Sequence, residues 1–329
     1  MANLAISAVC NQHCPYCFTA DHLEDKSGDA FLDPADFDAR LDFLDRSSID
    51  QVRLLGGEPT LHPQFAELVA RARARGKKII VFTNGLMPEE ALACLEALPE
   101  STCSVMVNVN EPRDASRDTL VRQQATIGRL GQRAMLGFNI YRADFQPRFL
   151  LPLIAQGGCR PAVRLGLAQP CLSGENRYVY PHQYVAIGRR IAAFAREAAA
   201  AGVRVEFDCG FVRCMFSHED MRTLEETGAD VGWRCNPILD IDIAGNVIYC
   251  YPLSRLGSEP LTPEVDASML RQALEARGRP YRQAGVFPEC STCPFKQSGE
   301  CSGGCLAVTR RRFRHTPFQV TIEDQEVAQ

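Results

Sequence analysis

The sequence predicts an α/β fold with parallel strands, and two observations carry that prediction. Strand-like apolar runs alternate six times with stretches of helical period, ending near residue 200. Parallel strands need long, usually helical, crossovers, so this alternation implies either a barrel or an open sheet. Beyond "VRVEFDC" the pattern breaks into short strands, turns and cysteines.

The elements follow in order. "ANLAISAV" reads as a buried strand. "PADFDARLDFLDR" reads as an amphipathic helix, because Phe37, Leu41 and Leu44 fall at helical spacing with acids between. "QVRLL" is a strand, and "HPQFAELVARARAR" a helix that Gly76 ends. "KKIIVF" is a strand stopped by "TNG"; "EEALACLEAL" is a helix and "CSVMVNV" a strand. Helix "SRDTLVRQQATIGRL" and strand "AMLGFNI" come next, then helix "QPRFLLPLIAQ" and strand "AVRLGLA". The long helix "HQYVAIGRRIAAFAREAAA" closes the series as an amphipathic wall. No fixed-period repeat or low-complexity tract is present.

Bulk properties exclude several classes. The chain has 329 residues, enough for one large domain or two. Hydrophobic residues make up 46% and charged residues 23%, ordinary for a soluble globular protein. Thirty-six basic residues against 40 acids give −4, which argues against a nucleic-acid binder. The opening "MANLAISAV" lacks the basic stretch of a signal peptide, and no segment has the apolar length of a membrane span. The expected location is the cytoplasm.

Fifteen cysteines are many for such a chain, and the cytosol keeps thiols reduced, so metal binding is the expected use. The first three lie in "CNQHCPYC", as Cys10, Cys14 and Cys17, in the loop after the first strand. In βα folds the loops at the C-terminal ends of the strands carry the chemistry. Three thiolates can hold three irons of a [4Fe–4S] cube and leave the fourth open to a ligand. A zinc site that borrows His13 or His22 is the other reading of this spacing. The second strand runs into "GGEP", where Gly56 and Gly57 let backbone approach a ligand, Glu58 adds an acceptor and Pro59 a rigid exit.

The two motifs together resemble the radical S-adenosylmethionine (radical SAM) superfamily. That family carries CxxxCxxC after strand one, with an aromatic before the third cysteine, which Tyr16 matches. The resemblance covers roughly residues 1–200 and implies a partial (β/α)6 TIM-type barrel. It implies that Cys10, Cys14 and Cys17 hold a [4Fe–4S] cluster whose open iron is chelated by S-adenosylmethionine. Reductive cleavage would then release a 5′-deoxyadenosyl radical that abstracts a substrate hydrogen. Gly56, Gly57 and Glu58 match the segment that receives the methionine amino group, with Glu58 a suitable partner for an ammonium. Thr83 and Asn84 end strand three, Asn108 ends strand four, Asn139 ends strand five and Arg164 lies on strand six. These five are placed for ribose hydroxyls or the carboxylate, and Tyr16 for adenine.

The last third resembles the SPASM extension of many radical SAM enzymes, which binds auxiliary iron–sulfur clusters. The matching stretches are "CNPILDIDIAGNVIYC" and "CSTCPFKQSGECSGGC". A zinc knuckle is the reading of the second stretch alone. The expected division is residues 1–202 for the barrel and 203–329 for a small cysteine-rich α+β domain. "VIYCYPL" is expected to be a hairpin strand delivering Cys250, and Trp233 to pack near the cluster loop. By resemblance, Cys235, Cys250 and Cys305 belong to the first auxiliary [4Fe–4S] cluster, with Cys209 or Cys214 as fourth ligand. Cys214 is the nearer to Cys235 in sequence. Cys290, Cys293 and Cys301 belong to the second. The family's usual downstream cysteine is missing, which leaves Cys209, Glu323, Asp324, His315 or nothing as its substitute.

Enzymes with this extension most often modify peptides, so the expected function is a radical SAM oxidoreductase acting on a ribosomally made peptide by crosslinking, epimerisation or oxidation. A small-molecule dehydrogenase or mutase, and a non-catalytic iron–sulfur carrier, are the alternatives. Sulfatase-maturing relatives carry an acid where this chain has Tyr251, which disfavours that activity. The chain begins nine residues before Cys10, so a peptide is expected to need a separate leader-recognition protein or direct docking. A flavodoxin or ferredoxin is the expected reductant. "RRRFRH", residues 310–315, reads as a solvated basic face. Cys171, in "LAQPCLSG" after strand six, is a candidate hydrogen donor, and Pro170 and Gly174 suggest that its turn is exposed.

Overall fold

The computed structural model describes residues 2–23, 30–171 and 175–313. Glu323, Asp324, His315 and Gly174 lie outside them. Seven strands form a parallel series in chain order: β1 (Asn3–Ser7), β2 (Gln51–Gly56), β3 (Lys78–Thr83), β4 (Cys103–Asn108), β5 (Ala134–Ile140), β6 (Ala162–Leu167) and β7 (Arg204–Phe207). Six helices connect them: α1 (Pro34–Arg46), α2 (Phe65–Ala74), α3 (Glu89–Glu96), α4 (Arg117–Leu130), α5 (Leu150–Gly157) and α6 (Tyr184–Ala200). The expected α/β alternation is present, and the sheet is open rather than closed into a ring. Its seventh parallel strand begins just past residue 202, where Gly202 at φ 71° turns the chain out of α6.

Sequence patterning explains which face is covered. Along β3 and β4, buried residues alternate with partly exposed ones. Ile79, Val81, Val105 and Val107 join one core with Phe37, Leu41 and Leu44 of α1 and Leu68 of α2. The opposite face carries Arg53, Phe82 and Arg164, with both guanidinium groups over the Phe82 ring at 5.0 and 5.9 Å. The helical side is therefore the apolar core, and the other side is free for polar work.

The C-terminal part extends the same sheet from the β1 edge. Strand β8 (Asp240–Ile241) pairs parallel to β1, β9 (Asn246–Ile248) antiparallel to β8, and β10 (Ser258–Pro260) antiparallel to β9. The expected hairpin is thus present, with Cys250 two residues past the end of β9. Helices α7 (His218–Glu226), α8 (Ala267–Ala284), α9 (Pro294–Gln297) and α10 (Leu306–Arg312) complete the chain. Trp233 is buried among Phe207 and Phe216, and its carbonyl accepts from Ser302 N at 2.8 Å.

Two buried contacts fasten β8 and β9 to the first strands. Asn3 Nδ2 donates to Asp240 Oδ1 at 2.7 Å. Arg40 of α1, 3% exposed, donates to Asp242 O at 3.1 Å and Ile243 O at 2.6 Å in the β8–β9 turn. Hydrogen bonds from a charged group are the stronger kind, and removing the donor leaves carbonyls unpaired. Arg40→Met is expected to lower stability by about 3 kcal/mol in urea unfolding. A change within about 0.5 kcal/mol would show that this clamp is redundant.

Candidate active site and thiol clusters

The loop after β1 and the turn after β2 are built as one unit. Gly57 N donates to Ser7 O and Glu58 N to Val9 O, both at 2.8 Å. A Cβ on Gly56, whose φ is 154°, would lie 2.0 Å from Ser7 O; one on Gly57 would lie 2.4 Å from Val9 O and 3.0 Å from the Cys10 Cβ. Only glycine permits this approach. The GGEP backbone therefore rests directly on the start of the cysteine loop.

Glu58 is fully buried. Its Oε1 accepts from Thr60 N at 3.2 Å, Thr60 Oγ1 at 2.5 Å and Thr83 Oγ1 at 2.8 Å, and its Oε2 accepts from Asn84 N at 2.8 Å. Oε1 thus takes three of the four donors and Oε2 one, which leaves a lone pair on Oε2. Burial pushes the carboxyl above its usual range, and the four donors oppose that rise. The side chain locks β2 to the end of β3, with Thr83, 2% exposed, inside the lock. Pro59 opens the short 3-10 turn Pro59–Leu61 that follows.

The three front thiols are electrostatic neighbours. Burial pushes Cys10 up to about 11, opposed by the Gln12 N–H, with the charges of Glu58, Cys14 and Cys17 adding. Cys14 is raised by burial, opposed by Asn110 and Tyr16, with Cys17 adding. Gln12 N donates to Cys10 Sγ at 3.5 Å, and Asn84 Nδ2 lies 3.8 Å from the same sulfur. Tyr16 donates to Asn110 Oδ1, and its ring stacks on Tyr141 at 5.0 Å. Asn110 escaped the sequence reading because it lies two residues past β4, where Asn108 ends the strand.

On the sheet face away from the helices, small and large residues alternate across strands. Asn108 opposes Gly137, which opposes Arg164; Asn139 opposes Gly166. A Cβ on Gly137 would lie 2.5 Å from Asn108 Oδ1, and one on Gly166 2.8 Å from Asn139 Oδ1. Arg164 pairs with Asp208, whose Oδ1 also accepts from Cys209 N at 2.7 Å. Asp208 was missed, although it directly follows β7, the position that singled out Asn84 after β3. Asp240 was missed too: burial pushes it up to about 6, against hydrogen bonds from Asn3 and Tyr251 N.

The eight remaining C-terminal thiols fall into two sets. Burial is the main influence on Cys209, Cys235, Cys250 and Cys305; after it, the charges of Cys235 and Cys305 raise Cys209, those of Cys305, Cys235 and Cys209 raise Cys250, and that of Cys235 raises Cys305. Cys214 is instead pushed up to about 11 by burial and then by Cys290, Cys301 and Cys293. The sequence left Cys209 or Cys214 as the fourth partner of Cys235, and Cys209 is the one that feels the charges of Cys235 and Cys305. Among the described residues no three His, Cys, Asp or Glu side chains converge as for a single metal ion. A [4Fe–4S] cube instead takes one thiolate at each corner. Grouped, desolvated thiols that raise one another's pKa fit such a cationic acceptor, because iron offsets both burial and mutual repulsion.

Cys171 departs from expectation. It is 5% exposed rather than on an exposed turn, and its amide donates to Asn176 Oδ1 at 2.8 Å. The Asn176 side chain also holds Gln169 O and Tyr16 O, which draws the segment inward. Cys94 lies within α3, Cys103 opens β4, and Cys159 is buried in the core. A methyl at Gly57 cannot be accommodated without moving the Val9–Cys10 backbone. Gly57→Ala is expected to cost about 1–3 kcal/mol, whereas Gly128→Ala, a helical site with open space around it, is expected to be neutral or stabilising. Equal unfolding midpoints for the two variants would contradict the close approach.

Comparisons with known proteins bear on the front segment and on the fold. Residues 4–129 match the Radical SAM superfamily. An S-adenosylmethionine-dependent nucleotide dehydratase from Thermoplasmatales archaeon (strain ISO4-H5) is 26% identical over 159 residues, 44% of this chain and 56% of that one. The chain thus spans about half the length of this curated relative. Among solved structures, Streptococcus suis SuiB bound to S-adenosylmethionine superposes with TM-score 0.67 at 16% identity, over 93% of this chain and 73% of that one. SuiB bound to its precursor peptide SuiA gives 0.66 at 16%, over 93% and 72%. AnSMEcpe with bound AdoMet gives 0.62 at 15%, over 92% and 88%. These likenesses show the fold. The cysteine loop on its GGEP bed lies within the matched segment, so residues 4–129 carry a radical SAM domain, a kind of domain that uses a [4Fe–4S] cluster and S-adenosylmethionine.

Proposed function

We propose that this chain is a radical SAM oxidoreductase that modifies a ribosomally made peptide by crosslinking, epimerisation or oxidation. Cys10, Cys14 and Cys17 hold the catalytic cluster, and the Gly56–Gly57 backbone receives S-adenosylmethionine. When bound, these cofactors supply a 5′-deoxyadenosyl radical that takes a hydrogen atom from the substrate. Tyr16, Asn84, Asn108, Asn139 and Arg164 position the cofactor and the substrate on the polar face. The barrel spans residues 1–202 and the SPASM-like part residues 203–329.

The observation that carries this reading is the link through Asp208. Its carboxylate joins Arg164 on the sheet to Cys209 in the first C-terminal thiol set. Crosslinking and oxidation remove two hydrogens in total: one as an atom to the radical, the other as a proton and an electron. A substrate radical beside Arg164 would pass its electron to a cluster held by Cys209, Cys235, Cys250 and Cys305 and lose its proton. SuiB, which shares the fold, has been seen with a precursor peptide, and this supports a peptide substrate.

A nucleotide is the second reading, favoured by the nucleotide dehydratase relative. Arg53 suits a phosphate, because its Nε is buried without a hydrogen-bond partner. The test is anaerobic reconstitution and reduction with S-adenosylmethionine, then mass spectrometry with the short peptide encoded beside the gene and with nucleoside triphosphates. Formation of 5′-deoxyadenosine should vanish in the Cys10→Ala, Cys14→Ala, Cys17→Ala variant, and the peptide should change in mass or in stereochemistry. An unchanged yield in that variant would overturn the site. Turnover of a nucleotide alone would replace the peptide reading with the second.

A further inference from the structure

We propose that Cys214 is the fourth thiolate of the outer C-terminal cluster, together with Cys290, Cys293 and Cys301. The chain would thereby close that cluster from upstream of Cys235. The inference rests on the proposed reading that the C-terminal thiols hold iron–sulfur clusters.

The segment 209–215 runs from beside Cys305 to beside α9, whose N-cap is Cys293. At its start, a Cβ on Gly210 would lie 3.6 Å from the Cys305 Cβ, so Cys209 enters the inner set. Next, Val212 Cγ1 lies 3.0 Å from where a Cβ on Gly304 would stand. Then Arg213 stacks its guanidinium over the Phe295 ring at 5.2 Å. Phe295 belongs to α9, whose N-cap is Cys293, and its carbonyl accepts from Cys301 N at 2.9 Å. The contact made by Arg213 therefore falls between two thiols of the outer set. Cys214 is the next residue, on the 3-10 turn Arg213–Met215.

The other side of the set is equally close-built. A Cβ on Gly285 would lie 2.7 Å from Cys290 Sγ, and Val286 N donates to Gly303 O at 2.9 Å. Cys214 feels the charges of Cys290, Cys301 and Cys293, and no member of the inner set is among its influences. Each set then contains four thiols, the number a closed cube requires. Cys209 serves the inner set, so it is not free to complete the outer one. Within the outer set Cys290 and Cys301 are buried, Cys293 is half-buried and Cys214 is exposed.

Two measurements test this. In apo wild type, mild oxidation followed by peptide mapping should link Cys214 to Cys290, Cys293 or Cys301. Links from Cys214 to Cys235, Cys250 or Cys305 would overturn the placement. In the anaerobically reconstituted full chain, Cys214→Ala should lose up to about four irons and change the electron paramagnetic resonance spectrum of the reduced clusters. Cys94→Ala, at a thiol outside both sets, should keep full iron. Cleavage of S-adenosylmethionine by the front cluster should survive in both variants, which shows that the fold is intact. Full iron and an unaltered spectrum in Cys214→Ala would overturn the inference. If wild type shows the predicted links but binds iron for the front cluster only, the cluster reading fails while the thiol placement stands.

Discussion

The backbone contact between the GGEP turn and the end of β1 is the constraint on which the rest depends. Two glycines let Gly57 N and Glu58 N bond to Ser7 O and Val9 O, at a separation that any side chain would prevent. The contact fixes where the cysteine loop begins, and so where Cys10 stands. Beneath it, the Glu58 carboxylate ties the turn to Thr83 and Asn84 at the end of β3. A buried carboxylate is costly unless hydrogen bonds offset its desolvation, and four donors do so here.

Electrostatics governs the other end of the sheet. Burial, with neighbouring charges adding, pushes the Cys209, Cys250 and Cys305 thiols up. A cluster held there would need them as thiolates, which would couple its binding to completion of the fold. Asp208 and Asp240 border the inner set from β7 and β8. Arg164 balances Asp208, and Arg53 lies close enough to Asp240 to oppose its rise in pKa. The polar sheet face and the inner thiol set thus share one network of charges.

Much of this was legible in the sequence, because the informative features are local. The spacing of Cys10, Cys14 and Cys17, the doubled glycine after the second strand and the six-fold alternation are all short-range patterns. What escaped was long-range. Two of the donors to Glu58, Thr83 Oγ1 and Asn84 N, lie at the end of another strand, so its lock could not be read from "GGEP". Pairing of β8 with β1 joins Asn3 to Asp240 across almost the whole chain. Cys209 and Cys214 are five residues apart in sequence, yet after burial Cys209 feels the charges of Cys235 and Cys305, and Cys214 those of Cys290, Cys301 and Cys293. The sequence left both open as partners of Cys235. Asn176 pulls Cys171 inward from the far side of its loop, a contact that neighbouring Pro170 did not reveal.

The central claim is that eleven thiols are organised as a three-thiol site and two four-thiol sites. Iron and sulfide content of the anaerobically reconstituted wild-type chain tests it most directly. Three cubes predict about twelve irons per chain, with S-adenosylmethionine perturbing the spectrum of one cluster alone. A plateau at about four irons, with zinc in the C-terminal sites, would contradict it.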